Sequence, residues 1–153
     1  MDTKTAQKEL NSIKKRENEL LEIIKNNKPK SIMEIATSID VVLKLSTPKD
    51  TEWYYKLIKI GAPKHIIAHE LLIIIISVLN EGWVPDYTNT NEWKYNPIFI
   101  LENGGSGFVF SNTYYVLWTT NTTVGSRLVL RTSALAKFCG QTFLPVYNDF
   151  IAK

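Results

Sequence analysis

Three rhythms of apolar and polar positions follow one another along the chain. From residue 3 to 27 no glycine or proline interrupts a run rich in Lys, Glu, Leu and Ile, a composition that favours helix. Leu10, Ile13, Leu20 and Ile24 fall on spacings of three and four when Glu17 fills one seam position, and Leu21 widens the stripe. This predicts an N-terminal helical arm over residues 1–28 with a coiled-coil-like face about two to three heptads long. Such a face suits a homo-oligomer formed through residues 3–27, or packing on the rest of the chain. Pro29 cannot continue the helix and biases Lys28 away from helical angles.

The second rhythm is helical and interrupted. Ser31 and Glu34 have capping-box spacing, and Ile32, Ile35, Ile39 and Val42 trace one face, which predicts a helix over 31–45. Thr47, Pro48 and Asp50 then read as N-cap, first-turn proline and capping acid of a helix over 48–60, stopped by Gly61. Pro63 opens a helix over 63–80 that is apolar almost all round from Leu71 to Leu79, as a buried helix is. The same run, "LLIIIISVL", also suits a central strand. Helix is preferred because "APKHIIAHE" leads in without a turn, and Asn80 with Gly82 supplies a stop.

After Gly82 the rhythm becomes that of strands. Aromatic, Val, Ile and Thr residues are punctuated by "ENGGSG" and "TTNTTVGS", which predicts strands over 97–101, 107–117 and 125–131. A final helix over 133–151 takes Thr132 or Ser133 as N-cap. Its stripe is Leu135, Phe138, Cys139, Phe143, Val146, Tyr147 and Phe150, and Pro145 should kink it. The expected fold class is therefore α+β, with a helical N-terminal half and a C-terminal three-stranded antiparallel meander packed against a final helix. Residues 29–153 form its single domain. In the joint "LNEGWVPDYTNTNEWKYNP", Trp83 is expected to anchor the corner in the core, whereas Tyr87 and Trp93 stand among polar residues.

Composition adds limits. At 153 residues the chain can bury a real core without metal or disulfide staples, and its single cysteine, Cys139, has no partner within the chain. Residues 1–30 hold eight Lys/Arg and five Asp/Glu, and the remainder holds ten of each, so the whole net charge of +3 sits in the first 30 residues. Lys14, Lys15 and Arg16 are its densest basic cluster, yet acids interleave with the bases as on a solvated helix face. The first residues lack the apolar core of a secretory signal, and the longest apolar run is about half of what a membrane span needs. The expectation is a soluble intracellular protein with no membrane partner.

Candidate chemistry is sparse. His65 and His69 are four apart and could face one side of a helix as a metal pair must, but the zincin order and a marked third ligand are both missing. Histidines at the entrance of a buried helix are the simpler reading. Cys139 falls on an apolar stripe, where a cysteine acts as a small hydrophobe. "GGSG" lacks the lysine of a phosphate loop and is read as a turn, and Glu81, Asp86 and Glu92 are read as turn and helix-end residues before a carboxylate cluster. No cofactor is called for. Aromatics near Arg127 and Arg131, the only arginines beyond residue 16, could stack bases, but alternating aromatics more often build a small sheet. A helix-turn-helix would make "TEWYYKLIKI" its recognition helix, which is too apolar to read a major groove well.

The segments "LNEGWVPDYTNTNEWKYNPIF", "GSGFVFS", "TTVGSRLVLRTSALAKFCG" and "QTFLPVYNDF" occur in order over roughly residues 79–151. This half resembles a group of small proteins recurrent in phages and prophages of Bacteroidetes. The chain departs from the group's pattern at Phe138, where tyrosine is usual, and at Pro145, where the group continues its helix. The resemblance implies a phage-derived protein in the host bacterial cytoplasm or in the virion, and it attaches no catalytic role. The expected function is that of a non-enzymatic accessory protein that binds a protein or nucleic acid. A virion structural or packaged protein and a metal-dependent hydrolase are the alternatives. Candidate binding residues are Tyr87, Trp93, Arg127, Arg131, Lys14, Lys15 and Arg16.

Overall fold

The structure, a computed structural model, describes residues 3–26, 30–102, 107–116 and 127–151. The chain divides into two compact units, Met1–Ser31 and Ile32–Lys153. The first contains one helix, α1 (Thr3–Asn26). Its described side chains from Glu9 to Ile23 are all exposed.

The second unit is α+β: helices, a two-stranded antiparallel sheet, then helices again. In place of one helix over 31–45 there are two short ones, α2 (Ile32–Ile35) and α3 (Ile39–Leu45). The break falls at Ala36–Ser38, because Ser38 is extended (φ −150°) and its Oγ accepts from the Val41 N–H at 3.4 Å. A serine in that position offers the backbone a cap that competes with a continuing helix. α4 (Pro48–Lys59) starts on a reciprocal box. Thr47 Oγ1 accepts from the Asp50 N–H, and Asp50 Oδ2 accepts from the Thr47 N–H, each at 3.3 Å.

The centre of the unit is α5 (Lys64–Asn80). Leu72, Ile75 and Leu79 are fully buried, and Ala68, Leu71, Ile74 and Ile76 nearly so. Residues 71–79 are thus a buried helix and not a central strand. Four other helices pack on it, because an all-round apolar helix must be covered on every side.

β1 (Lys94–Leu101) and β2 (Phe108–Val116) pair antiparallel, with a bulge between Ile98 and Phe99. Among the described residues the sheet has these two strands. The segment expected as a third strand over 125–131 contributes a single bridge, in which Leu130 exchanges both backbone bonds with Tyr95 at 2.9 and 3.0 Å. Residues 125 and 126 lie outside the described residues. A meander would set this segment beside β2, whereas it lies against the opposite edge of β1. The other side of the segment is taken by a side chain: Asn80 Nδ2 donates to the Val129 carbonyl (2.9 Å), and its Oδ1 accepts from the Arg131 N–H (3.1 Å).

The expected helix over 133–151 is also two, α6 (Ser133–Thr142) and α7 (Leu144–Ile151). Pro145 does not kink a helix; it stands in the first turn of α7, where a missing N–H costs nothing. Thr132 caps α6, its Oγ1 accepting from the Leu135 N–H at 3.2 Å. Asn148 on α7 clamps the start of β2. Its Oδ1 accepts from the Phe108 N–H (2.7 Å), and its Nδ2 donates to the Phe108 carbonyl (3.0 Å).

α6 approaches the sheet closely enough that a Cβ at Gly140 would stand 2.7 Å from Pro97 Cβ and 2.6 Å from the Phe110 ring. Alanine at a helical glycine contributes about 1 kcal/mol of helix propensity. Overpacking against a strand proline and an aromatic ring costs about 1–3 kcal/mol. At these distances the clash wins, so Gly140→Ala is expected to lower the urea midpoint. A raised midpoint would show that α6 can move off the sheet freely.

Candidate binding groove

The corner after α5 is built by two successive left-handed residues, Glu81 (φ 49°) and Gly82 (φ 83°). Gly82 adopts this freely, but Glu81 is strained there by about 1–2 kcal/mol. Its carboxylate is ion-paired with the Arg131 guanidinium, which ties the strained turn to the 127–131 segment. The Trp83 N–H donates to the Asn80 carbonyl at 2.9 Å and closes the turn.

Beyond the turn the chain is organised around Glu92 and Lys94. The Lys94 side chain is wholly buried, with Nζ 3.0 Å from Glu92 Oε1 and 3.1 Å from the Glu92 carbonyl, and it lies 5.4 Å from the centre of the Tyr87 ring. Glu92 Oε1 also accepts from the Asp86 N–H at 2.8 Å, and the carboxylate takes a hydrogen bond from the Trp83 side chain. Burial pushes the Glu92 carboxyl up, but the bonds from Lys94, Asp86 and Trp83 and the charge of Lys94 outweigh it and hold it below its ordinary value. Asp86 is likewise held low by the Thr88 hydroxyl and N–H, at 2.7 and 2.8 Å, in an Asx turn.

This scaffold holds open a groove of about 470 Å³ between α5 and the 127–131 segment. Ile73, Ile76, Ser77 and Asn80 form one side, Arg127 and Val129 the other, and Trp83, Val84, Pro85 and Tyr87 the end wall. The lining is mostly apolar. Trp83 is half-buried here and does not sit in the core as the sequence reading expected. Val84 is 79% exposed. A second cavity of about 310 Å³, on the other flank of α5 from Ile32 to Gly82, contains none of the predicted residues.

Of the predicted binding residues, the groove brings together Tyr87 and Arg127. Arg131 is beside it but ion-paired with Glu81. Trp93 lies elsewhere, its ring edge-on to Tyr115 at 4.5 Å. Lys14, Lys15 and Arg16 are exposed on α1, in the other unit. Reading the sequence missed Asn80, Trp83 and Val84 as groove residues and Lys94 as a buried cation. "GWVP" directly after a helix stop, with a valine between tryptophan and proline, was the available signal.

His65 is exposed, whereas His69 is half-buried with its ring 5.3 Å from that of Phe150. Among the described residues no three His, Cys, Asp or Glu side chains gather as a metal site, so the pair gains no third ligand there. Burial pushes the Cys139 thiol up to about 12 against the Tyr147 hydroxyl at 3.5 Å, which makes it a poor nucleophile. No described helix is long and apolar enough to cross a membrane. In comparisons with known protein families, curated proteins and solved structures, nothing matches the chain.

Proposed function

We propose that this chain is a non-enzymatic accessory protein of phage origin that acts in the host cytoplasm by binding a protein. Its ligand would be a short apolar segment carrying an acidic residue. The observation that carries this reading is the groove itself: an apolar trough ended by half-buried Trp83 and exposed Val84, with the exposed Arg127 guanidinium at its rim. Tryptophan in a partly desolvated pocket is a common anchor for protein recognition, and a rim arginine selects for carboxylate.

Protein is favoured over nucleic acid by where the cations go. Around the groove, Arg131 is paired with Glu81 and Lys94 is buried on Glu92, and on α1 the run Lys14–Arg16 has acids on both sides, at Glu9 and Glu17. A phosphate-tracking surface needs several cations on one face. The phage origin rests on the ordered segments from "LNEGWVPD" to "VYNDF".

The test is selection from a random peptide library displayed against the whole chain. The expected result is enrichment of peptides with apolar or aromatic residues next to Asp or Glu, whose affinity falls at least about tenfold on Trp83→Ala and on Arg127→Glu. Peptides that bind both variants as well as the parent, or no enrichment beside a salt-sensitive shift of single-stranded or duplex DNA, would overturn the reading.

A further inference from the structure

α1 is a helix of 24 residues whose described apolar side chains are exposed: Leu10 is 44% exposed, Ile13 64%, Leu20 50%, Leu21 56% and Ile23 54%. A helix of this length with so polar a sequence is marginal in water, because nucleation is costly and most helical stability comes from a packed apolar face. We propose that a second copy of this chain supplies the cover, with the two α1 helices parallel and in register as a short coiled coil.

The charges choose this occupant and this direction. With Leu10 and Glu17 at the a positions and Ile13 and Leu20 at d, Glu9 falls at g and Lys14 at e. In a parallel pair each g residue faces the e residue of the following heptad on the other helix, so Glu9 meets Lys14 of the second copy twice by symmetry. Arg16, also at g, lies beside Glu17 of the second copy, so two arginines offset the two Glu17 carboxylates that meet in the seam. An antiparallel pair that matched the same apolar stripe, Leu10 against Leu20, would set Lys14 near Lys14 and Arg16 near Arg16. A polar residue at an a position weakens such a pair while fixing its register. The assembly is therefore a reversible dimer held in alignment by its own weak point.

Sedimentation equilibrium of the full chain over a dilution series tests this. The expected result is a monomer–dimer equilibrium that Glu17→Leu tightens at least about tenfold and Leu20→Lys weakens at least about tenfold. Glu9→Lys should weaken it, and adding Lys14→Glu to that variant should restore it. Leu10→Cys should oxidise to a linked dimer, since Cys139 is buried and does not compete. In the antiparallel arrangement the two Cys would be about 15 Å apart, by the rise of ten helical residues. A monomer at every concentration for both the parent and Glu17→Leu, a trimer mass, or linking only between Leu10→Cys and Leu20→Cys chains would overturn the proposal. None of these readouts uses the groove beside α5.

Discussion

Glu92→Ala is expected to lower unfolding stability by about 3 kcal/mol, far more than its half-buried position on an irregular loop suggests. The reason is Lys94, whose ammonium has no exposure and is paired with the Glu92 carboxylate at 3.0 Å. Removing one member of a buried pair leaves the other charge uncompensated, which costs about 3–5 kcal/mol. The lower end applies because Glu92 keeps 23% exposure and its backbone carbonyl still accepts from Nζ at 3.1 Å. Lys94→Met removes the charge but retains the volume, so it should cost much less, and the double variant should be more stable than Glu92→Ala alone, since it leaves no buried charge. Urea unfolding of the three variants decides it; equal losses for Glu92→Ala and Lys94→Met would sink the uncompensated-charge account.

The same pair sets a pH dependence. Glu92 is held below its ordinary value, so its contribution is complete above the unfolded glutamate pKa, about 4.3, and is lost as pH falls through the lower folded value. The stability gap between the parent and Glu92→Gln should therefore be constant near about pH 6 and shrink toward about pH 3. Because Glu92 also receives Asp86 and Trp83, acid should loosen the end wall of the groove along with the core pair.

Asn80→Ala is expected to cost about 2–4 kcal/mol. The residue is 3% exposed, and its amide replaces a strand: it satisfies the Val129 carbonyl and the Arg131 N–H, two backbone groups with no ladder beside them. Each buried group left without its bond costs about 1–3 kcal/mol. Asn80→Asp should be destabilising as well, since a carboxylate can accept from Arg131 but cannot donate to Val129. Amide hydrogen exchange gives a local check. In Asn80→Ala the Arg131 N–H should exchange faster, whereas Phe108, clamped by Asn148, should be unaffected beyond the global change. An Asn80→Ala chain as stable as the parent would mean that water replaces the amide.

How much of the candidate site could be read in advance depended on the kind of residue. Tyr87 and Arg127 stand 40 positions apart and could be named as exposed candidates, but nothing in the sequence could place them around one trough. Trp83 was misplaced because a tryptophan after an apolar helix ordinarily continues the core. Here the two left-handed residues Glu81 and Gly82 turn it outward to the groove. Lys94 was missed because lysine is almost never fully buried unless paired, and its pairing with Glu92 becomes visible only when the loop is folded.

The amino-acid sequence by itself determined those elements whose signals are local. The Thr47–Asp50 capping box, the all-round apolar run of α5, the stop at Asn80–Gly82 and the start of α6 at Thr132 or Ser133 each act within one or two turns of chain. It also marked the division between helical and strand-forming halves, since periodicity and β-branched content are short-range properties. Tertiary structure alone decided the rest. A third strand shrank to one bridge at Tyr95, and the outer backbone groups of the Val129–Arg131 segment went to the side chain of Asn80, about 50 residues away. The last helix broke at Phe143, which lets its two halves turn separately against the sheet and against α5, the first through the close approach at Gly140 and the second through Phe150 on His69. Both outcomes depend on where distant polar groups and close-packed surfaces meet, and no pattern along the chain encodes that meeting.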